Sequence, residues 1–213
     1  KFLANIRETD AIIHVLRCFD DDNVVHVDGS VDPIRDKDII DAELQLKDLE
    51  TVESRIQKIE KQVRVGGDKQ AKVALDVLLK YREALSQGRS ARTVELVNKD
   101  EEQVAKETML LTSKPVLYVC NVDENSAVNG NAYVERVREA VKDENAQVLV
   151  VAAKIESEIA ELETYEERQM FLDEIGLSES GVSRLIKAAY ALLELRTFLT
   201  AGSDEVRAWT FKA

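Results

Sequence analysis

The chain has 213 residues, 45% hydrophobic and 33% charged, and a net charge of -12 at pH 7. That length holds one sizeable core, or one core and a smaller domain. Bulk attraction for nucleic acid is excluded by the charge, no apolar run approaches the ~20 residues of a membrane helix, and two cysteines are too few for a disulfide framework, which points to a reducing cytosol.

Residues 1–9 read as the end of an amphipathic helix with Phe2, Leu3 and Ile6 on one face. Residues 11–19, AIIHVLRCF, are apolar and β-branched and predict a buried strand, in which His14 reads as a core histidine rather than a ligand. The run Asp20-Asp21-Asp22-Asn23 lacks the alternation of a calcium loop and reads as a solvated turn. Residues 24–27 read as a short strand and residues 29–33 as turn chemistry.

From Asp36, an N-cap by type, Ala42, Leu46, Leu49, Val52, Ile56, Ile59 and Val63 follow at steps of three and four, which is a coiled-coil seam. Gly66-Gly67 stops this helix and Asp68 is placed to cap the next. The second seam is Ala71, Leu75, Leu78, Arg82 and Leu85, with Ala74 and Tyr81 beside it. Two seams around a tight turn predict an antiparallel helical hairpin, an arm on the order of 40 Å at about 1.5 Å per residue. Lys58, Lys61, Arg64, Lys69 and Lys72 cluster near its tip, either to meet RNA phosphate or as solubilising charge on an exposed coil. A third helix opens at Asn98-Lys99-Asp100, presents Val104, Thr108 and Leu111, and ends at Pro115.

Val116-Leu117-Tyr118-Val119-Cys120 are five apolar residues in a row, the pattern of a strand buried on both faces. The run ends in Asn121-Val122-Asp123-Glu124, beyond the carboxyl end of that strand, where open α/β sheets bind ligands. Residues 132–142 predict a helix with Val134, Val137 and Val141 on one side, and residues 147–151 a further buried strand opening into Ala152-Ala153-Lys154. Apolar strands with helices between them argue a doubly wound parallel sheet. Residues 156–175 read as one acidic helix ended by Gly176, its paired carboxylates a solvated face. Residues 182–195 read as an apolar helix that packs on the sheet. Residues 197–200 and 205–211 flank Ala201-Gly202-Ser203-Asp204 as a hairpin, which by itself is marginally stable. Cys18 and Cys120 end two candidate strands and read as buried structural thiols, with a redox role as the alternative.

A strand followed by Asn-x-x-Asp reads guanine in GTPases, and Asn121-Val122-Asp123-Glu124 is an Asn-x-x-Glu variant without the lysine at its second position. It resembles the Obg-like ATPases, the YchF family of P-loop proteins with GTPase ancestry. The resemblance also covers residues 1–14 and the closing segments 200–202 and 207–210. It implies a parallel-sheet α/β G-domain with an inserted coiled-coil hairpin. The division is residues 1–33 and 112–196 for the G-domain, 34–111 for the insertion, and 197–213 for the first hairpin of a TGS domain.

The base chemistry favours adenine, or relaxed base choice, over strict guanine. Guanine presents an N1 hydrogen and a 2-amino group, both suited to a carboxylate, whereas adenine presents a bare N1 that a carboxylate repels. Glu124 is one carbon longer than aspartate, which displaces its oxygens; Val122 can pack on the ring; Asn121 can pair with the N7 and 6-amino edge of adenine. Ala152-Ala153-Lys154 resembles the Ser-Ala-Lys loop of GTPases, where backbone amides touch the base, which adds Ala152 and Ala153 to the base-binding set. The resemblance thus implies a cytoplasmic, ribosome-associated ATPase, ATP preferred over GTP, that uses hydrolysis as a switch in translation or stress response. Its partner is the large ribosomal subunit, with neither membrane nor DNA involved. No G-x-x-x-x-G-K-[ST] occurs in the chain. The P-loop, the Mg2+ ligands and the catalytic residue are therefore expected upstream of a portion that is itself inactive. The alternatives are a non-catalytic helical-hairpin module and a GTPase of relaxed base choice.

Overall fold

The structure is a computed structural model that describes residues 2–26, 29–66 and 69–212. The side chains of Phe2 and Leu3, and Val27, Gly67 and Asp68, on which parts of the sequence reading rest, lie outside the described residues. Two compact units form: Lys1–Asp10 with Arg35–Lys114, and Ala11–Ile34 with Pro115–Ala213.

The second unit is built on three parallel strands, β1 (Ile12–Arg17), β2 (Val116–Asn121) and β3 (Gln147–Val151), in the order β1-β2-β3. The unbroken apolar run makes β2 the central strand, and five of its six residues are buried. Register is fixed by pairs such as Leu16 with Cys120 and Asn121 with Val151, so all three strands end at one level. Parallel neighbours need a crossover, and α5 (Ala132–Val141) supplies it between β2 and β3. Asn131 caps α5 by accepting from the Val134 amide at 3.2 Å, and Val134, Val137 and Val141 recur on its buried side. They join Val116, Tyr118, Cys120 and Val150 in the core on one face of the sheet, with Ile155 and Ile159 from α6 (Ala153–Glu161) and Leu172 from α7 (Tyr165–Glu174).

The other face carries Leu117, Val119, Leu149 and Val151, covered by Leu185, Ala188 and Leu192 of α8 (Gly181–Leu192). Helices on both faces of a parallel sheet bear out the expected α/β class. A carboxylate of α6 caps α8: Glu156 accepts from the amides of Gly181 at 2.6 Å and Val182 at 3.0 Å. Only glycine fits at 181, where a Cβ would stand 2.8 Å from Glu156 Oε1 and 2.9 Å from Val151 Cγ1. Beyond α8, β4 (Leu195–Ala201) and β5 (Val206–Lys212) form the antiparallel hairpin, with Phe198 and Phe211 in edge contact and Trp209 Nε1 donating to Thr200 Oγ1 at 2.9 Å. Every hairpin residue but half-buried Leu195 is exposed.

The first unit is helical. It contains α1 (Phe2–Arg7), most of α2 (Pro33–Arg64), α3 (Lys69–Ser86) and α4 (Lys99–Thr108). Val52 and Ile56 of α2 meet Val77, Leu78, Tyr81 and Leu85 of α3, with Leu49 and Ile59 at the margin. Asn98 caps α4 through the Glu101 amide at 3.0 Å, and Lys80 of α3 pairs with Glu101 at 2.8 Å.

Several sequence expectations are corrected. Residues 24–26 form no strand, because the Arg17 guanidinium gathers the carbonyls of Phe19, Asp21 and Val24 and curls the segment. The helix of the insertion starts at Pro33, not after Asp36: proline suits the first helical position, and the Asp32 carboxylate accepts from the Ile34 amide at 3.1 Å. The seam's first third is displaced, since Ala42 and Leu46 are exposed while Leu44 and Asp48 are buried. Arg82 is exposed, and Val77 and Tyr81 take the core positions of α3. Met109, in the left-handed region, ends the third helix well before Pro115. The acidic helix is two helices, divided where Thr164 and Glu167 form a reciprocal capping box. Glu156 and Glu167 therefore act as caps; Glu156 is partly buried, while Glu167 stays exposed as expected.

Candidate nucleotide-base site

Three strands ending at one level leave their exit loops side by side. The ladder runs one residue past the strands, with the Cys18 amide donating to Asn121 O at 2.8 Å and the Val122 amide to Val151 O at 2.9 Å. Both backbone neighbours of the Asn121 side chain are thereby fixed. Its Oδ1 accepts from the Ala153 amide at 3.0 Å, so one amide ties the loop after β2 to the first residue of α6. Among the described residues, Asn121 Nδ2 donates to no protein acceptor.

The next three residues have distinct duties. Val122 is 3% exposed and packs in the core, so it does not present a surface to a ring, contrary to expectation. Asp123 turns back to accept from the amide of Ser126 at 3.0 Å and its hydroxyl at 3.1 Å, capping a short 3-10 turn over Glu124–Ser126. Glu124, at the start of that turn, is half exposed and its Oε1 is ion-paired with Lys154 Nζ. The pairing raises the Lys154 ammonium above the usual lysine value, with Glu158 and Asp21 adding to it. Ala152 is buried and Ala153 is exposed.

Asn131 was missed by sequence reasoning. Besides capping α5, its Nδ2 donates to Cys18 O at 2.7 Å, which fastens the exit of β1 to the loop after β2. Its signal was the asparagine immediately before the Val134-Val137-Val141 stripe. Asp123 was missed as well, and its cap shows as serine three residues on. Tyr133 donates to the Asp20 carboxylate at 3.0 Å, which holds its phenol above the usual value. Cys18 and Cys120 are both fully buried beneath these loops, and the neighbouring Cys120 thiol together with burial pushes Cys18 up.

Among the described residues, no three His, Cys, Asp or Glu side chains come together to hold a metal ion. The chain does spell D-x-x-G once, Asp173-Glu174-Ile175-Gly176, but this is a helix end, with the Gly176 amide donating to Asp173 O at 3.2 Å. The basic residues Lys58, Lys61 and Arg64 near the end of α2, and Lys69 and Lys72 at the start of α3, are all exposed on either side of the same connection. No described helix is long and apolar enough to cross a membrane.

No family model matches the chain. It is similar to the "Ribosome-binding ATPase YchF" of Bacillus subtilis, 52% identical over 214 residues that cover 100% of this chain and 58% of that protein. The protein of the same name from Haemophilus influenzae is 50% identical over 99% of this chain and 57% of its own length. The human "Obg-like ATPase 1" is 40% identical over 99% of this chain and 54% of its own length. Among solved structures, that of the Schizosaccharomyces pombe YchF GTPase superposes with a TM-score of 0.85 at 28% identity, covering 99% of this chain and 57% of that one. The chain thus spans little more than half the length of the curated relatives it matches.

Proposed function

The chain belongs to the Obg-like ATPase (YchF) family, and from that premise we propose that it is the base-reading and partner-docking portion of a cytoplasmic, ribosome-associated ATPase. The observation that carries the proposal is the Asn121 amide, which bridges the loops beyond β2 and β3 while keeping its Nδ2 unspent. That nitrogen can donate to N7 of adenine, and Oδ1, with a second lone pair, can accept from the 6-amino group. In the same two loops Glu124 and Ala153 are exposed, and Ala152 and Val122 are buried.

In this reading residues 34–111 are an insertion in the nucleotide-binding domain and residues 197–213 open a TGS domain. The five basic residues flanking the α2–α3 connection are the contact with ribosomal RNA on the large subunit. ATP is the preferred nucleotide, with GTP weaker, and hydrolysis works as a switch in translation or stress response. Mg2+ accompanies the nucleotide, but among the described residues no ligand set for it comes together.

Hydrolysis of ATP and GTP by the full-length protein tests the base site. Asn121→Ala is expected to raise KM for ATP at least about tenfold, the scale of a lost paired hydrogen bond at a built site. Unchanged KM values would remove the base-reading role. Charge reversal at Lys58, Lys61 and Arg64 tests the docking role, which fails if co-sedimentation with ribosomes is unaltered.

A further inference from the structure

A carboxylate that selects guanine needs both oxygens, one for the N1 hydrogen and one for the 2-amino group. Glu124 offers them only in competition with a cation. Lys154 Nζ engages its Oε1 from the neighbouring loop. The backbone beneath this ion pair is held by the bond from the Ala153 amide to Asn121 Oδ1, so the two charged side chains rise from loops that are tied together. Asp123, the other acid of the loop, is spent on capping Ser126 and cannot substitute. Asp21 and Glu158 lie within electrostatic reach of Lys154, yet among the described residues its ion pair is with Glu124.

We propose that Lys154 is a specificity-determining residue, whose ammonium occupies Glu124 and thereby favours adenine over guanine. This rests on the reading that residues 121–124 and 152–154 face a base. Two effects have the same sign. The ammonium holds Oε1 in its own direction, so a guanine that uses this oxygen must share it or displace the ammonium. It also offsets the negative charge that would repel the bare N1 of adenine. Lys154 is 74% exposed and Glu124 45%, so the effect is that of a partly solvated pair: a shift of base choice rather than its abolition.

The test is titration of the full-length protein with N-methylanthraniloyl-ATP and N-methylanthraniloyl-GTP, read as the ratio of the GTP Kd to the ATP Kd. Lys154→Ala is expected to lower that ratio about two- to fivefold, and Lys154→Arg to keep it. In a Glu124→Gln background, Lys154→Ala is expected to leave the ratio unmoved, because the partner is already gone. Raising the salt concentration is expected to lower the wild-type ratio and not that of Lys154→Ala, a readout that needs no new fold. A ratio indifferent to Lys154→Ala, or one shifted equally with and without Glu124, overturns the proposal. Failure of the underlying site looks different: Asn121→Ala then leaves both Kd values at those of the wild type.

Discussion

Asp48 and Thr112, 64 residues apart, are joined twice: Asp48 Oδ2 accepts from the Thr112 amide and from its hydroxyl, each at 2.7 Å. The other oxygen takes the Leu111 amide at 2.8 Å. Asp48 is 1% exposed and Thr112 is 1% exposed, so these bonds are shielded from water. The carboxylate caps the 3-10 turn Leu111–Ser113, which stands shortly before β2.

Asp48→Ala leaves three buried donors without their acceptor. The expected loss of stability is about 2–4 kcal/mol. Asp48→Asn keeps one acceptor oxygen and is expected to lose less. Urea unfolding of both variants checks the order, and equal losses would contradict it.

Gly181→Ala places a methyl against Val151 Cγ1 and Glu156 Oε1, on the side where Glu156 caps α8. Val151 is in the sheet and cannot withdraw without moving β3. The expected cost is about 1–3 kcal/mol, the range of overpacking a filled site. Thermal unfolding measures it, and an unchanged Tm would show that the α6–α8 junction yields freely.

Glu101 titrates below the usual carboxylate value, chiefly because Lys80 hydrogen-bonds to it and also because the Val97 amide donates to it. A depressed folded-state pKa contributes stability above the unfolded value, here 4.5, and that stability is lost as pH falls through the folded value. Glu101→Gln is therefore expected to lower Tm at neutral pH and to approach the wild type below about pH 4. Melting curves from pH 7 to pH 3 decide; a constant difference across that range would refute the assignment.

The β4–β5 hairpin keeps its hydrogen bonds in water and buries little beyond Leu195. Two strands without a covered face open readily. Amide hydrogen exchange of the chain is expected to be fast through residues 197–211 and slow through β2. Protection of the hairpin comparable to that of β2 would mean that a surface covers it.

What the sequence determined by itself is the framework. An unbroken run such as Val116 to Cys120 has no polar side to expose, so a strand buried on both faces is its one stable use. Likewise Asn131 and the valines of α5 are local instructions, since a cap and its stripe lie within three turns of each other. The base-site candidates Asn121 and Glu124 were legible for the same reason: they end a strand whose place in a parallel sheet is set by its composition.

Tertiary structure alone decided which faces meet and which side chains find each other. Leu46 has the spacing of a seam residue, yet Leu44 and Asp48 are the buried ones. Periodicity names a stripe but not the surface waiting opposite it. Val122 goes to the core rather than to the surface, Asn121 finds the Ala153 amide, and Lys154 finds Glu124. The two pairings join segments about thirty residues apart and depend on the level at which β2 and β3 end. That level is fixed by the register of backbone hydrogen bonds across the sheet, a long-range property that no single stretch of sequence encodes.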